Sequence, residues 1–80
     1  MTEIQDYDLV ALTKAHTATH KQTQQPLQLQ RGQIGTVLMS FNDEAYLIDF
    51  ADRDGNTFAM ETIEAAHLLR LLHDPDLALA

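Results

Sequence analysis

Turn signals cut the stretch from Leu27 to Met60 into short β-branched and aromatic pieces, and this constrains the chain to a meander of strands. Gly32 and Gly35 bracket a bend, where a missing Cβ permits a positive φ or a close backbone approach. Thr36-Val37-Leu38-Met39-Ser40-Phe41 follows, and Asn42-Asp43-Glu44 turns the chain into Ala45-Tyr46-Leu47-Ile48-Asp49-Phe50. Asp52-Arg53-Asp54-Gly55-Asn56 then carries the Asp-Gly pair that favours a hairpin, and Thr57-Phe58-Ala59-Met60 returns as a strand.

Period-two alternation assigns faces to these strands. Tyr46, Ile48 and Phe50 share one side, and Asp49 marks the side of Ala45 and Leu47 as the wetter one. The same rule turns Val37, Met39 and Phe41 inward and Thr36, Leu38 and Ser40 outward, with Phe58 and Met60 completing the core. Leu38 and Leu47 are thereby left on the outer face.

The rest of the chain divides by composition. Residues 1–8 are a polar, acidic lead-in, and Leu9-Val10-Ala11-Leu12 reads as a first strand. Thr13–Gln25 holds Thr, Gln, His and Lys without a large apolar side chain, so it reads as a mobile loop that ends at Pro26. Glu61–Leu72 fits two descriptions. Ile63, Ala66, Leu68, Leu69, Leu71 and Leu72 partly match helical spacing, yet a helical turn over Ile63–Ala66 before a strand Leu68–Leu72 fits as well. Asp74-Pro75 closes the element, and residues 73–80 form a tail. Five short, sharply turned strands in 80 residues point to an all-β domain, a small closed barrel without exposed sheet edges.

Charge and composition then narrow the function. Five basic residues against twelve acidic ones give a net charge of −7, which repels phosphate backbones and disfavours nucleic acid as a partner. Cysteine is absent, which removes disulfides, thiol nucleophiles and cysteine-held metals. No signal-peptide pattern opens the chain, and no apolar stretch approaches the ~20 residues that cross a bilayer, so the expectation is a soluble cytoplasmic domain.

No catalytic, metal or cofactor site emerges. His16 and His20 stand four apart but lack a third ligand nearby and read as two solvated loop histidines. His67 and His73 have no Ser or Asp neighbour suited to nucleophilic catalysis. Aligning Gly55 and Glu61 on a calcium loop puts Phe50 at its first ligand position, so a hairpin turn explains these residues better. Gly32-Gln33-Ile34-Gly35 lacks the Lys-Ser/Thr ending of a phosphate loop. The expectation is a protein that is not an enzyme.

What remains is an acidic group: Asp43, Glu44, Asp49, Asp52, Asp54, Glu61 and Glu64, interrupted only by Arg53. One reading is a solubilising surface. The other is a negative face that steers onto a basic protein, with Leu38 and Leu47 adding apolar contact.

Leu29-x-x-Gly32-x-x-Gly35-Thr36-Val37, then Tyr46-x-Ile48-x-Phe50, Asp52-x-Asp54-Gly55-x-Thr57 and Leu68-x-x-Leu71, together resemble a family of short bacterial proteins known as a domain of unknown function. Asp8-Leu9-Val10-x-Leu12-Thr13-Lys14 is similar to the family's usual opening, and the resemblance covers residues 6–72. Its Gly-x-x-Gly-x-Val part is shared with KOW-type barrels. The resemblance implies a five-stranded SH3-like barrel with one short helical turn before the last strand, which favours a strand at Leu68–Leu72. It supplies no catalytic residues. The resemblance also implies genes often set beside small toxin-like ones, and with them an antitoxin or immunity role. The expected partner is accordingly a small basic toxin, such as a nuclease. An accessory or adaptor subunit of a larger complex is the alternative. The apolar end Leu77-Ala78-Leu79-Ala80 reads as a frayed terminus or as a degradation signal.

Overall fold

A computed structural model describes residues 4–72. Seven strands form within that range: β1 (Leu9–Leu12), β2 (His16–Thr19), β3 (Pro26–Leu29), β4 (Ile34–Phe41), β5 (Ala45–Ala51), β6 (Thr57–Glu64) and β7 (Leu68–Arg70). A single 3-10 turn, Ala65–His67, joins β6 to β7. The domain is all-β, as the meander requires. It differs from the expected closed five-stranded barrel: one open sheet has the order β6-β5-β4-β1-β7, and β2 and β3 form a separate hairpin.

The ambiguous end resolves into strand, turn and strand. β6 runs on through Ile63, the turn begins two residues later, and β7 pairs antiparallel with β1 through Val10–Arg70, Ala11–Leu69 and Leu12–Leu68. The apolar end Leu77–Ala80 lies outside the described residues.

Both predicted turns form, each with its own chemistry. Asn42 and Asp43 both have positive φ, and the Glu44 N–H donates to the Phe41 carbonyl at 3.1 Å. Two left-handed central residues match the right-handed twist of the flanking strands. At the other end of β5, Gly55 takes φ +86°, and Asp52 Oδ1 accepts the N–H groups of Asp54 and Asn56 at 2.9 and 3.0 Å. An Asp at the start of such a turn organises its backbone through its own side chain.

The two glycines of the first bend satisfy the two requirements separately. Gly32 has φ +96°, whereas Gly35 is buried opposite Val10, where a Cβ would run into Ile48 and the Phe50 ring. One is needed for its backbone angle and the other for its missing side chain.

Thr13–Gln25, expected as a loop, instead contains a strand, β2, and the turn that follows it. Ala18 is 2% exposed and faces inward with Leu27 and Leu29 of β3, so three modest apolar groups seat the hairpin on the core. The turn is held by its own polar side chains: His20 Nδ1 accepts the N–H groups of Gln22 and Thr23, and the His20 N–H donates to the Gln25 carbonyl at 2.8 Å. Pro26, expected to end a loop, begins β3. Polar composition argued for disorder, but Thr and Ala alternate with the period of a strand.

The core lies between this hairpin and the inner face of the sheet. Tyr46, Ile48 and Phe50 of β5 fill it with Val10, Leu12, Val37, Ala59, Ile63 and Leu68, and Ile4 closes one side. Phe58 packs against the same cluster. Met39, Phe41 and Met60, expected inside, are instead exposed. The cause is a pair of register shifts. β4 shifts between Val37 and Met39, leaving Leu38 without a cross-strand partner, and β5–β6 shifts between Phe50 and Ala51, leaving Phe58 without one. One extra residue exchanges the faces of everything beyond it.

Candidate protein-binding surface

The register defines a second face on the far side of the sheet from the hairpin. Ile34, Ala11 and Leu69 stand side by side across β4, β1 and β7. The next row is Leu9, Thr36, Asp49 and Met60, followed by Met39, Leu47 and Thr62, and then by Phe41, Ala45 and Glu64. Five of these side chains, Ile34, Met39, Phe41, Met60 and Leu69, are between 40 and 57% exposed. Scattered exposed hydrophobics need no explanation, but five on one face of one sheet make a patch of the kind that marks an interaction surface.

The acidic residues relate to this face in three ways. Asp43 and Glu44 occupy the β4–β5 turn, and Asp52 and Asp54 the β5–β6 turn. β5 has seven residues, so the two turns lie about 23 Å apart at either end of it. Asp49 and Glu64 stand on the outer face itself, opposite Met60 and Ala45. Glu61 belongs elsewhere. It pairs with Ile48, a core residue, and so points to the inner side, where its carboxylate accepts the Thr19 N–H at 3.0 Å and lies 3.7 Å from His16 Nε2. The seven acids therefore do not make one continuous face.

Asp49 is the central one. It is half-buried among Leu9, Leu47, Met60 and Thr36, and its Oδ1 accepts the Thr57 hydroxyl at 2.7 Å. Asp43 is drawn into its turn, where its N–H donates to Ser40 Oγ at 2.9 Å and the Ser40 hydroxyl donates back to Oδ1 at 3.0 Å. The buried Tyr46 ring brings its phenol to the same pair. Burial pushes the Tyr46 hydroxyl above its usual titration range, and the neighbouring Asp43 carboxylate adds to the shift. Tyr46 is thus a core residue and offers no outward aromatic anchor.

Of the two leucines expected outside, Leu47 stands on the outer face and Leu38 sits in the β4 irregularity; both are half-buried. Periodicity missed the stronger apolar groups, Met39, Phe41 and Met60, because it placed them inside. Ile34 and Leu69 lie far apart in the sequence, and only the pairing of β1 with both β4 and β7 brings them together.

His16 and His20 are half-buried rather than fully solvated, His16 within β2 and His20 in the turn that follows it. His16 and His20 lie on the same side of the hairpin and both meet β6, His16 at Glu61 and His20 through a stacked contact with Phe58 whose ring centroids are 6.4 Å apart. The Lys21 N–H also donates to the Phe58 carbonyl at 2.8 Å. Asp52 Oδ1 is committed to its own turn, and among the described residues no three His, Asp or Glu side chains gather as metal ligands. A shallow depression of about 270 Å³ is lined by Ala11, Leu12, Thr13, Arg31, Gly32 and Leu69. No helix among the described residues is long and apolar enough to cross a membrane.

Compared with known proteins, residues 6–70 match the family model described as Domain of unknown function (DUF4926). No curated protein and no solved structure matches the chain.

Proposed function

The chain belongs to the DUF4926 family, and we propose that it is a non-enzymatic protein-binding module whose outer sheet face covers a basic partner in the manner of an antitoxin or immunity protein. The observation that carries this reading is the outer face: exposed Met39, Phe41 and Met60 on the face that also carries Asp49, with acidic turns at both ends of β5. Apolar area of this kind supplies contact, while the surrounding carboxylates attract a cationic partner and repel an acidic one. A net charge of −7 extends that attraction beyond the patch and speeds encounter. A toxin that acts on a phosphate-bearing substrate carries a basic surface of the required sign, and covering that surface blocks the substrate. The expected setting is the cytoplasm.

The test is purification of the tagged protein from its own host at low salt, followed by identification of what accompanies it. A single small basic protein, released by raising the salt and toxic when expressed alone, supports the inhibitor. Stoichiometric subunits of a large assembly, retained at high salt, would replace it with the adaptor reading.

A further inference from the structure

The outer face also constrains the shape of what binds it. Met39, Phe41 and Leu47 lie on inner strands, β4 between β1 and β5 and β5 between β4 and β6, and Met60 lies on the edge strand β6; ladder bonds run in the plane of the sheet, so no backbone N–H or C=O group points out of this face. An extended segment laid over that face would find no backbone partners there and would lose its own hydration on docking. A helix satisfies its backbone internally and presents only side chains. The face therefore selects a helix.

Charge placement fixes the helix further. Asp43 and Glu44 lie at one end of β5, with Glu64 beside Ala45 on the same row, and Asp52 and Asp54 lie at the other end. Asp49 interrupts the apolar middle with a carboxylate whose Oδ1 is held by Thr57 and which stands between Thr36 on one side and Met60 on the other. The about 23 Å between the turns is the length of a helix of roughly 15 residues. A second copy of this chain is a poor occupant, because two bodies of −7 each repel.

Resting on the protein-binding reading above, we propose that the outer face of β4, β5 and β6 is a docking site for an amphipathic helix of about four turns, with Lys or Arg toward both ends and one cation seated on Asp49. The apolar stripe of such a helix, at i, i+3, i+4 and i+7 spacing, lies over Met39, Leu47 and Met60. Its terminal cations meet the two acidic turns.

Three synthetic peptides of about 15 residues test this: a Leu/Lys amphipathic helix, the same composition with two central prolines, and a Leu/Glu version. They are titrated into the isotope-labelled protein while amide shifts are followed. The helical Leu/Lys peptide is expected to shift amides of β4, β5 and β6, the Pro-broken and Glu peptides far less. Asp49→Asn should weaken the helical peptide by about fivefold or more, Met60→Glu should abolish binding, and Asp6→Asn, at an exposed acid outside the strands, should leave it unchanged. Equal binding by the Pro-broken peptide, or shifts confined to the β2–β3 hairpin, would overturn the proposal. A host partner captured in the preceding experiment while the helical peptide fails would reject the helix and leave the protein-binding reading standing.

Discussion

At the scale of single residues, the sequence is most legible where a side chain has one physical reason to be what it is. Gly32 and Gly35 are of this kind, because a positive φ and a close approach are the two things glycine alone provides. Tyr46 is another, and it leads to a pH prediction. Burial and the Asp43 carboxylate raise its phenol in the folded state above the ordinary value near 10. The folded protein therefore holds this proton at pH values where the unfolded chain has lost it, so stability is intact below about pH 10 and falls as pH rises beyond it. Tyr46→Phe removes a hydroxyl that meets Asp43 and Ser40, and should cost about 1 kcal/mol at pH 7. The same variant lacks the titrating group, so its deficit should shrink as pH rises above about 10. Urea unfolding of both proteins across that range checks it; parallel stability curves would exclude a raised Tyr46 phenol.

Elements show where reading from the sequence stops. The positions of β1, β4, β5, β6 and β7 and both tight turns follow from composition, and β1 and β5 carry the residues expected in them. The faces of β4 and β6 do not follow, because Leu38 and Phe58 are ordinary strand residues that happen to lack a cross-strand partner. Nothing in Val37-Leu38-Met39 marks an irregularity, yet it decides whether Met39 and Phe41 are core or surface. The β2–β3 hairpin is hidden for a different reason: its apolar groups are few, only Ala18, Leu27 and Leu29, and its polar anchors lie on β6, about forty residues away. Glu61 is the principal link, accepting the Thr19 N–H and facing His16. Glu61→Ala should loosen the hairpin without unfolding the sheet, at a cost of about 1 kcal/mol. Amide exchange at Ala18, Leu27 and Leu29 is then expected to quicken about fivefold, with Ile48 and Phe50 unaffected. A uniform change across both groups would mean that hairpin and sheet open together.

The molecule as a whole balances an exposed apolar face against a large net charge. Ile34, Met39, Phe41, Met60 and Leu69 would favour face-to-face association of two copies, while −7 on each opposes it at neutral pH. The sequence pI of about 4.7 removes the opposition under mild acid. The protein should therefore sediment as a monomer at pH 7 and form a concentration-dependent dimer near pH 4.7, with circular dichroism confirming that the strands persist. Phe41→Gln combined with Met60→Gln keeps the charge at every pH and removes apolar area only from the outer face. That double variant should stay monomeric near pH 4.7. Its dimerising as readily as the parent would show that another surface is the adhesive one, and the charge would then be guarding a different part of the sheet. Monomeric behaviour in the variant alone would tie the acidic composition to this face: the carboxylates keep like copies apart at neutral pH and leave the apolar strip open to a partner of opposite sign.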